Sequence, residues 1–134
     1  MRKAASIGSL ILGVILIIGG FTTWFTVSGT LADEKIVTSD DACLAGRTVA
    51  DPFTAYCEAQ VIAKHALEAT GDKTYAEMDR EDPLRQVAAT ASFLRASLFT
   101  SVVAFGSAAM AVGMGVVFVL IGLGIRDVEQ RTNT

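Results

Sequence analysis

Two long uncharged stretches flank one charge-dense segment. Ala4 to Ala32 and Ala96 to Ile125 contain no ionisable side chain. As a helix, each would reach about 45 Å at ~1.5 Å per residue. That exceeds the ~30 Å hydrocarbon core of a bilayer and matches its thickness with headgroups included. The pattern predicts an all-α membrane protein, with two antiparallel transmembrane helices and a small helical insert between them. On this reading residues 1–32 are a tail and the first span, and 33–94 the insert. Residues 95–126 are the second span, and 127–134 a second tail.

The first span also has to be weighed against a secretory leader. Arg2 and Lys3 provide a positive start, and Thr30-Leu31-Ala32 is a weak cleavage site. The apolar core from Ile7 to Val27 is longer than the ~7–15 residues of a leader's apolar region. A retained anchor is therefore expected.

The insert's own pattern is mixed. Lys35-Ile36-Val37-Thr38 suits a short extended piece, and Ser39-Asp40-Asp41 a turn or helix start. A clearer helix is expected from Asp51, a good N-cap, with Pro52 at the first helical position. Phe53, Tyr56, Cys57, Val61 and Leu67 fall largely on one face of it, and Gly71 is its natural stop. Asp82-Pro83 repeats the start signal. From there a helical stripe through Leu84, Val87, Ala91, Leu94 and Leu98 predicts one continuous helix from Pro83 to about Arg126. The Asp51–Thr70 helix would pack on its early turns.

Composition sharpens the picture at one point. Hydrophobic residues make up 51% of the 134-residue chain, and mean hydropathy is +0.48. The polar remainder is concentrated. Asp33 to Arg95 holds twelve of the fourteen acids and seven of the eleven Lys and Arg residues, a net charge of about −5. A segment of that size buries too little to stand alone, so support from the spans, a partner or a covalent staple is expected.

Charge also predicts the threading. Arg2 and Lys3 precede the first span, and Arg126 and Arg131 follow the second. The bias of Lys and Arg toward the cytoplasm puts both termini inside and residues 33–94 outside. Trp24, next to Thr22, Thr23 and Thr26, suits the outer headgroup boundary. Arg95 and Arg126 can extend their guanidinium groups into the headgroups from the two ends of the second span.

Both spans carry small residues that permit close helix approach. In the first these are Ala5, Ser9 and Gly13, at four-residue spacing. In the second they are Ser107, Ala111 and Gly115, with Gly106 and Gly113 a heptad apart. They are expected to pack within the chain or against a partner, although small residues are also common in membrane helices generally. The lack of intramembrane charge weighs against an ion path or proton relay.

Cys43 and Cys57 are the only cysteines. On the expected outer face a disulfide would persist, and closing such a loop stabilises by roughly 3 kcal/mol. Two free thiols or half of a metal site are the alternatives. His65 is the single imidazole, and a surface or helix-packing role is expected for it. Asp79-Arg80-Glu81-Asp82 reads as a solvated helix start without the ligand spacing of a calcium loop. No phosphate-binding glycine loop, nucleophile elbow or basic nucleic-acid stripe occurs.

The run from Ala91 to Gly106, ASFLRASLFTSVVAFG, resembles the signature of a family of small actinobacterial two-span membrane proteins. Pro52-Phe53-Thr54-Ala55-Tyr56 and Thr74-Tyr75-Ala76-Glu77 resemble it too. The resemblance covers most of the chain from Trp24 to the second span. It implies a plasma-membrane location and brings no catalytic residue with it. This chain departs from the family's usual pattern at Cys43 and Cys57. Members often bear the label of aromatic ring-opening dioxygenase. A facial-triad iron site needs two His and one carboxylate, and one His cannot build it.

The expectation is a non-enzymatic protein, without catalytic, cofactor or metal residues and without a nucleic-acid partner. It would serve as an accessory or scaffolding subunit of a larger plasma-membrane assembly; the resemblance makes a respiratory supercomplex a plausible host. The alternative is a self-associating extracytoplasmic sensor or binding protein, with Tyr56, His65, Tyr75 and the acidic run as its contact surface.

Overall fold

The computed structural model describes residues 2–132, apart from the side chains of Arg2 and Thr132. The expected role of Arg2 in threading lies outside the described side chains. The chain is all-α, with no strand among the described residues. Helix α1 runs Arg2–Asp33, α2 Pro52–Ala69 and α3 Arg85–Thr132, with one short 3₁₀ turn at Tyr75–Glu77. Helices α1 and α3 are each long and apolar enough to cross a membrane.

The two long helices contribute to two compact units. One joins α1 up to Thr26 with α3 from Phe105 onward; the other is Val27–Ala104. The second unit thus takes in more of each long helix than the 33–94 insert read from charge alone.

In the first unit α1 and α3 run antiparallel and touch through a narrow seam. Its contacts recur every seven residues. A Cβ on Gly13 would lie 2.7 Å from the Gly115 carbonyl oxygen, and one on Gly115 the same distance from the Gly13 carbonyl. A Cβ on Gly20 would meet the Ala108 carbonyl at 2.7 Å, and one on Gly122 would meet the Ser6 carbonyl at 3.0 Å. Nothing larger than hydrogen fits at these glycines, so the backbones themselves are in contact. Hydroxyl groups lace the same seam. Ser6 Oγ donates to the Gly122 carbonyl at 2.8 Å, and Ser9 Oγ to the Phe118 carbonyl at 2.7 Å. Toward the Thr26 end Trp24 meets Phe105 edge-on, ring centroids 4.8 Å apart, and Phe105 is buried.

The second unit is built around α2. Asp51 caps it, accepting from the Phe53 and Thr54 amides at 2.9 and 3.0 Å. The Thr54 hydroxyl oxygen accepts from the Asp51 amide in return, which closes a capping box. Partial burial pushes the Asp51 carboxyl up, but the hydrogen bonds from Thr54 and Phe53, with the Arg47 charge, outweigh it and hold it below its usual value. Gly71, at φ +64°, follows the Thr70 C-cap as the sequence predicts.

The face that α2 buries matches the expected one in part: Cys57 and Val61 are buried and Leu67 is half-buried, but the two large aromatics are not. Thr54, Ala55, Cys57, Glu58, Ala59 and Val61 are buried, whereas Phe53 and Tyr56 are exposed at 72% and 48%. Small side chains let α2 lie close to its neighbours, and the large aromatics are left outside. Helix α3 begins at Arg85, two residues after Pro83, because Asp82 first closes a turn by accepting from the Leu84 amide at 2.9 Å. It then continues unbroken past Arg126.

Candidate functional site

The segment between α1 and α2 folds into a small loop, fixed by backbone pairing. Val37 and Thr48 form an isolated antiparallel bridge. The Thr38 amide donates to the Arg47 carbonyl at 2.8 Å and the Val49 amide to Ile36 at 2.9 Å. The buried Thr38 hydroxyl also donates to the Leu44 carbonyl. The loop is tied to α2 in two ways. Cys43 and Cys57 stand at disulfide distance, their Cα atoms 5.5 Å apart. The buried Glu58 carboxylate accepts from the Ser39 amide at 2.9 Å and from its hydroxyl at 3.3 Å. These bonds supply the partners a buried charge needs. Ser28 of α1 adds a third tie, donating to the Ala50 carbonyl at 2.7 Å.

On the solvent side of α2, Asp41 lies 2.9 Å from Lys64 and 3.1 Å from His65. The Lys64 hydrogen bond holds the Asp41 carboxyl below its usual value, and Asp41 in turn raises Lys64. All three are well exposed, so the cluster orients the loop and contributes little to stability. His65 is thus a surface residue, as expected. The acidic run Asp79–Asp82 is largely solvent-facing.

The residues expected to mediate helix packing divide in two. Gly13 and Gly115 sit at the centre of the seam, and Ser9 bonds across it. Ala111 is half-buried. Ala5, Gly106, Ser107 and Gly113 face away from the seam and are exposed. The four-residue rows drawn from the sequence therefore meet the seam at Ser9, Gly13 and Gly115 and leave it at Ala5 and Ser107. The seam residues Ser6, Gly20, Ala108 and Gly122 were not among those predicted. A seven-residue recurrence of small residues in each stretch would have found them: Ser6, Gly13, Gly20 and Ala108, Gly115, Gly122.

The expected interface anchors have the following surroundings. Trp24 is half-buried and spends its ring on Phe105. Arg95 is half-buried; its guanidinium carbon lies 5.7 Å from the Phe99 ring centroid and its Nε is buried. Arg126 is exposed and lines a groove of about 420 Å³ with Lys3, Ser6, Leu10 and Glu129.

Comparison with protein-family models, curated proteins and solved structures finds no match.

Proposed function

We propose that this chain is a non-enzymatic accessory subunit of a larger plasma-membrane assembly, such as a respiratory supercomplex. Both termini would lie in the cytoplasm and the acidic insert outside. The observation that carries the reading is the set of helical glycines the chain itself leaves unused, Gly8, Gly19 and Gly29 on α1 and Gly106, Gly113 and Gly124 on α3. Gly106 and Gly113 lie one heptad apart on the outward face of α3, and no atom lies within 4 Å of a Cβ built on either. Glycine weakens a helix by about 1 kcal/mol relative to alanine. At the seam, backbone contact repays that cost. On the outer face a second helix from another subunit would do the same, since packing in lipid rests on close approach.

The chain extracted in mild detergent should co-migrate with a larger complex, and Gly113→Leu should release it at least tenfold more readily while leaving α1 and α3 paired. Migration alone, or complete retention of the complex by Gly113→Leu, counts against the reading. A complex made only of copies of this chain would favour self-association.

Threading is tested separately. Glu68 is exposed on α2, and a Glu68→Cys variant should react with an impermeant thiol reagent on intact cells while the wild type does not. Reaction only after lysis would invert the topology.

A further inference from the structure

Among the described residues, the one buried side-chain polar atom without a hydrogen-bond partner is Arg95 Nε. The Arg95 side chain lines a cleft of about 100 Å³ within the Val27–Ala104 unit. Ala66 of α2, Lys73 and Tyr75 of the following turn, and Ala91, Ser92 and Arg95 of α3 line it. The helical walls are largely alanine, which is why the space is not filled. We propose that this cleft binds a phosphate group, carried either by a lipid headgroup or by a free anion.

Three observations converge on that chemistry. First, a guanidinium stays protonated in proteins, so the charge that Arg95 brings to the cleft lining is permanent. Second, no carboxylate lies within ion-pair distance of Arg95 among the described residues. The carboxylate on the adjoining turn, Glu77, is already engaged. It accepts from the Thr74 amide at 2.8 Å and from its hydroxyl at 2.7 Å, and these bonds, with the Lys73 charge, hold it ionised. Third, Lys73 adds a second cation to the lining, and Tyr75 is held in place by Arg85, whose guanidinium carbon stands 4.1 Å from its ring centroid. Arg85 also donates to the Met78 carbonyl, which pins the turn.

Size narrows the class. The cleft is small, about 100 Å³, which suits a phosphate group. A planar fork beside an ammonium point charge is the usual means of holding phosphate. Ser92 already donates its hydroxyl to the Ala88 carbonyl at 2.9 Å, so the cationic pair leads the recognition. Arg95 is also the last charge before the uncharged stretch Ala96–Ile125, which puts a lipid headgroup among the two sources.

The test uses the full chain in a neutral detergent, with native mass spectrometry reading bound mass. One arm adds inorganic phosphate. The other adds phosphatidylglycerol, with phosphatidylcholine as the zwitterionic reference. Binding is expected in at least one arm. It should weaken at least tenfold in Arg95→Lys, which keeps the charge and loses the planar fork, and about threefold in Lys73→Gln. Lys73 is exposed, so its variant folds irrespective of the fate of Arg95. Binding of phosphatidylglycerol without inorganic phosphate assigns the lipid headgroup, and the converse assigns the free anion. No binding in either arm at millimolar concentration overturns the proposal. So does binding unchanged in both variants, which would place the anion elsewhere, for instance beside Lys3 and Arg126. None of these outcomes depends on the accessory-subunit reading.

Discussion

Replacing Gly115 with leucine should separate α1 from α3. The Cβ alone would meet the Gly13 carbonyl oxygen and Ile17 Cγ1 at 2.7 Å, and the Ile17 amide at 3.0 Å. Two of those three atoms are backbone, so no rotamer change can relieve the clash, and the helices must move apart. Overpacking typically costs about 1–3 kcal/mol, and here the Ser6 and Ser9 hydrogen bonds to the facing carbonyls would lengthen with it. Trp24 is the only tryptophan and lies against Phe105 in the same unit, so its emission reports the seam directly. Gly115→Leu should shift that emission and lower the thermal midpoint in detergent. Gly113→Leu adds the same bulk to the same helix and should leave both unchanged, since its face is open. If the two variants behave alike, the seam is wrongly placed.

The second large effect is expected at the cysteines. A bond between Cys43 and Cys57 closes a short loop, and in the chain-entropy account this stabilises by roughly 3 kcal/mol. Mass analysis without reduction should find the protein two hydrogens lighter than the dithiol. The Cys43→Ser/Cys57→Ser double variant should exchange the Thr38 and Val49 amides much faster, because the pairing they make across the loop would then depend chiefly on Glu58 and Ser39. Exchange at the seam should not change. Two freely alkylated thiols in native, unreduced protein would refute the bond.

Element type was legible in the sequence because it depends on period and punctuation. The uncharged stretches, the Asp51-Pro52 start, the Gly71 stop and the extended piece near Val37 all appear as read. Which face each helix buries was not legible to the same degree. Large apolar side chains were expected to mark the covered face of α2, yet Phe53 and Tyr56 are exposed while alanines and Thr54 are buried. The same inversion governs the seam. In lipid there is no premium on hiding bulk, so what selects a contact face is how little protrudes from it. A four-residue row of small residues and a seven-residue row both satisfy that condition on one helix. Only the facing helix decides between them, and a pattern confined to one segment carries no information about its partner. The burial of Arg95 was unreadable for a related reason: it follows from the alanine-lined gap beside α2, which no local spacing encodes.

The heptad recurrence of the seam has a consequence for alignment. Ser6, Gly13 and Gly20 oppose Gly122, Gly115 and Ala108 in order, but a displacement of one heptad, about 10 Å, would again set glycine against glycine or alanine. The serine hydroxyls do not resist it, because every turn offers another carbonyl. Small residues therefore supply adhesion without an address. The address is the Trp24–Phe105 pair: a one-heptad slip would set Trp24 beside other residues and uncover the most deeply buried large ring in the protein. The seam works as a vernier, with a repeating scale and a single aromatic mark that fixes the reading.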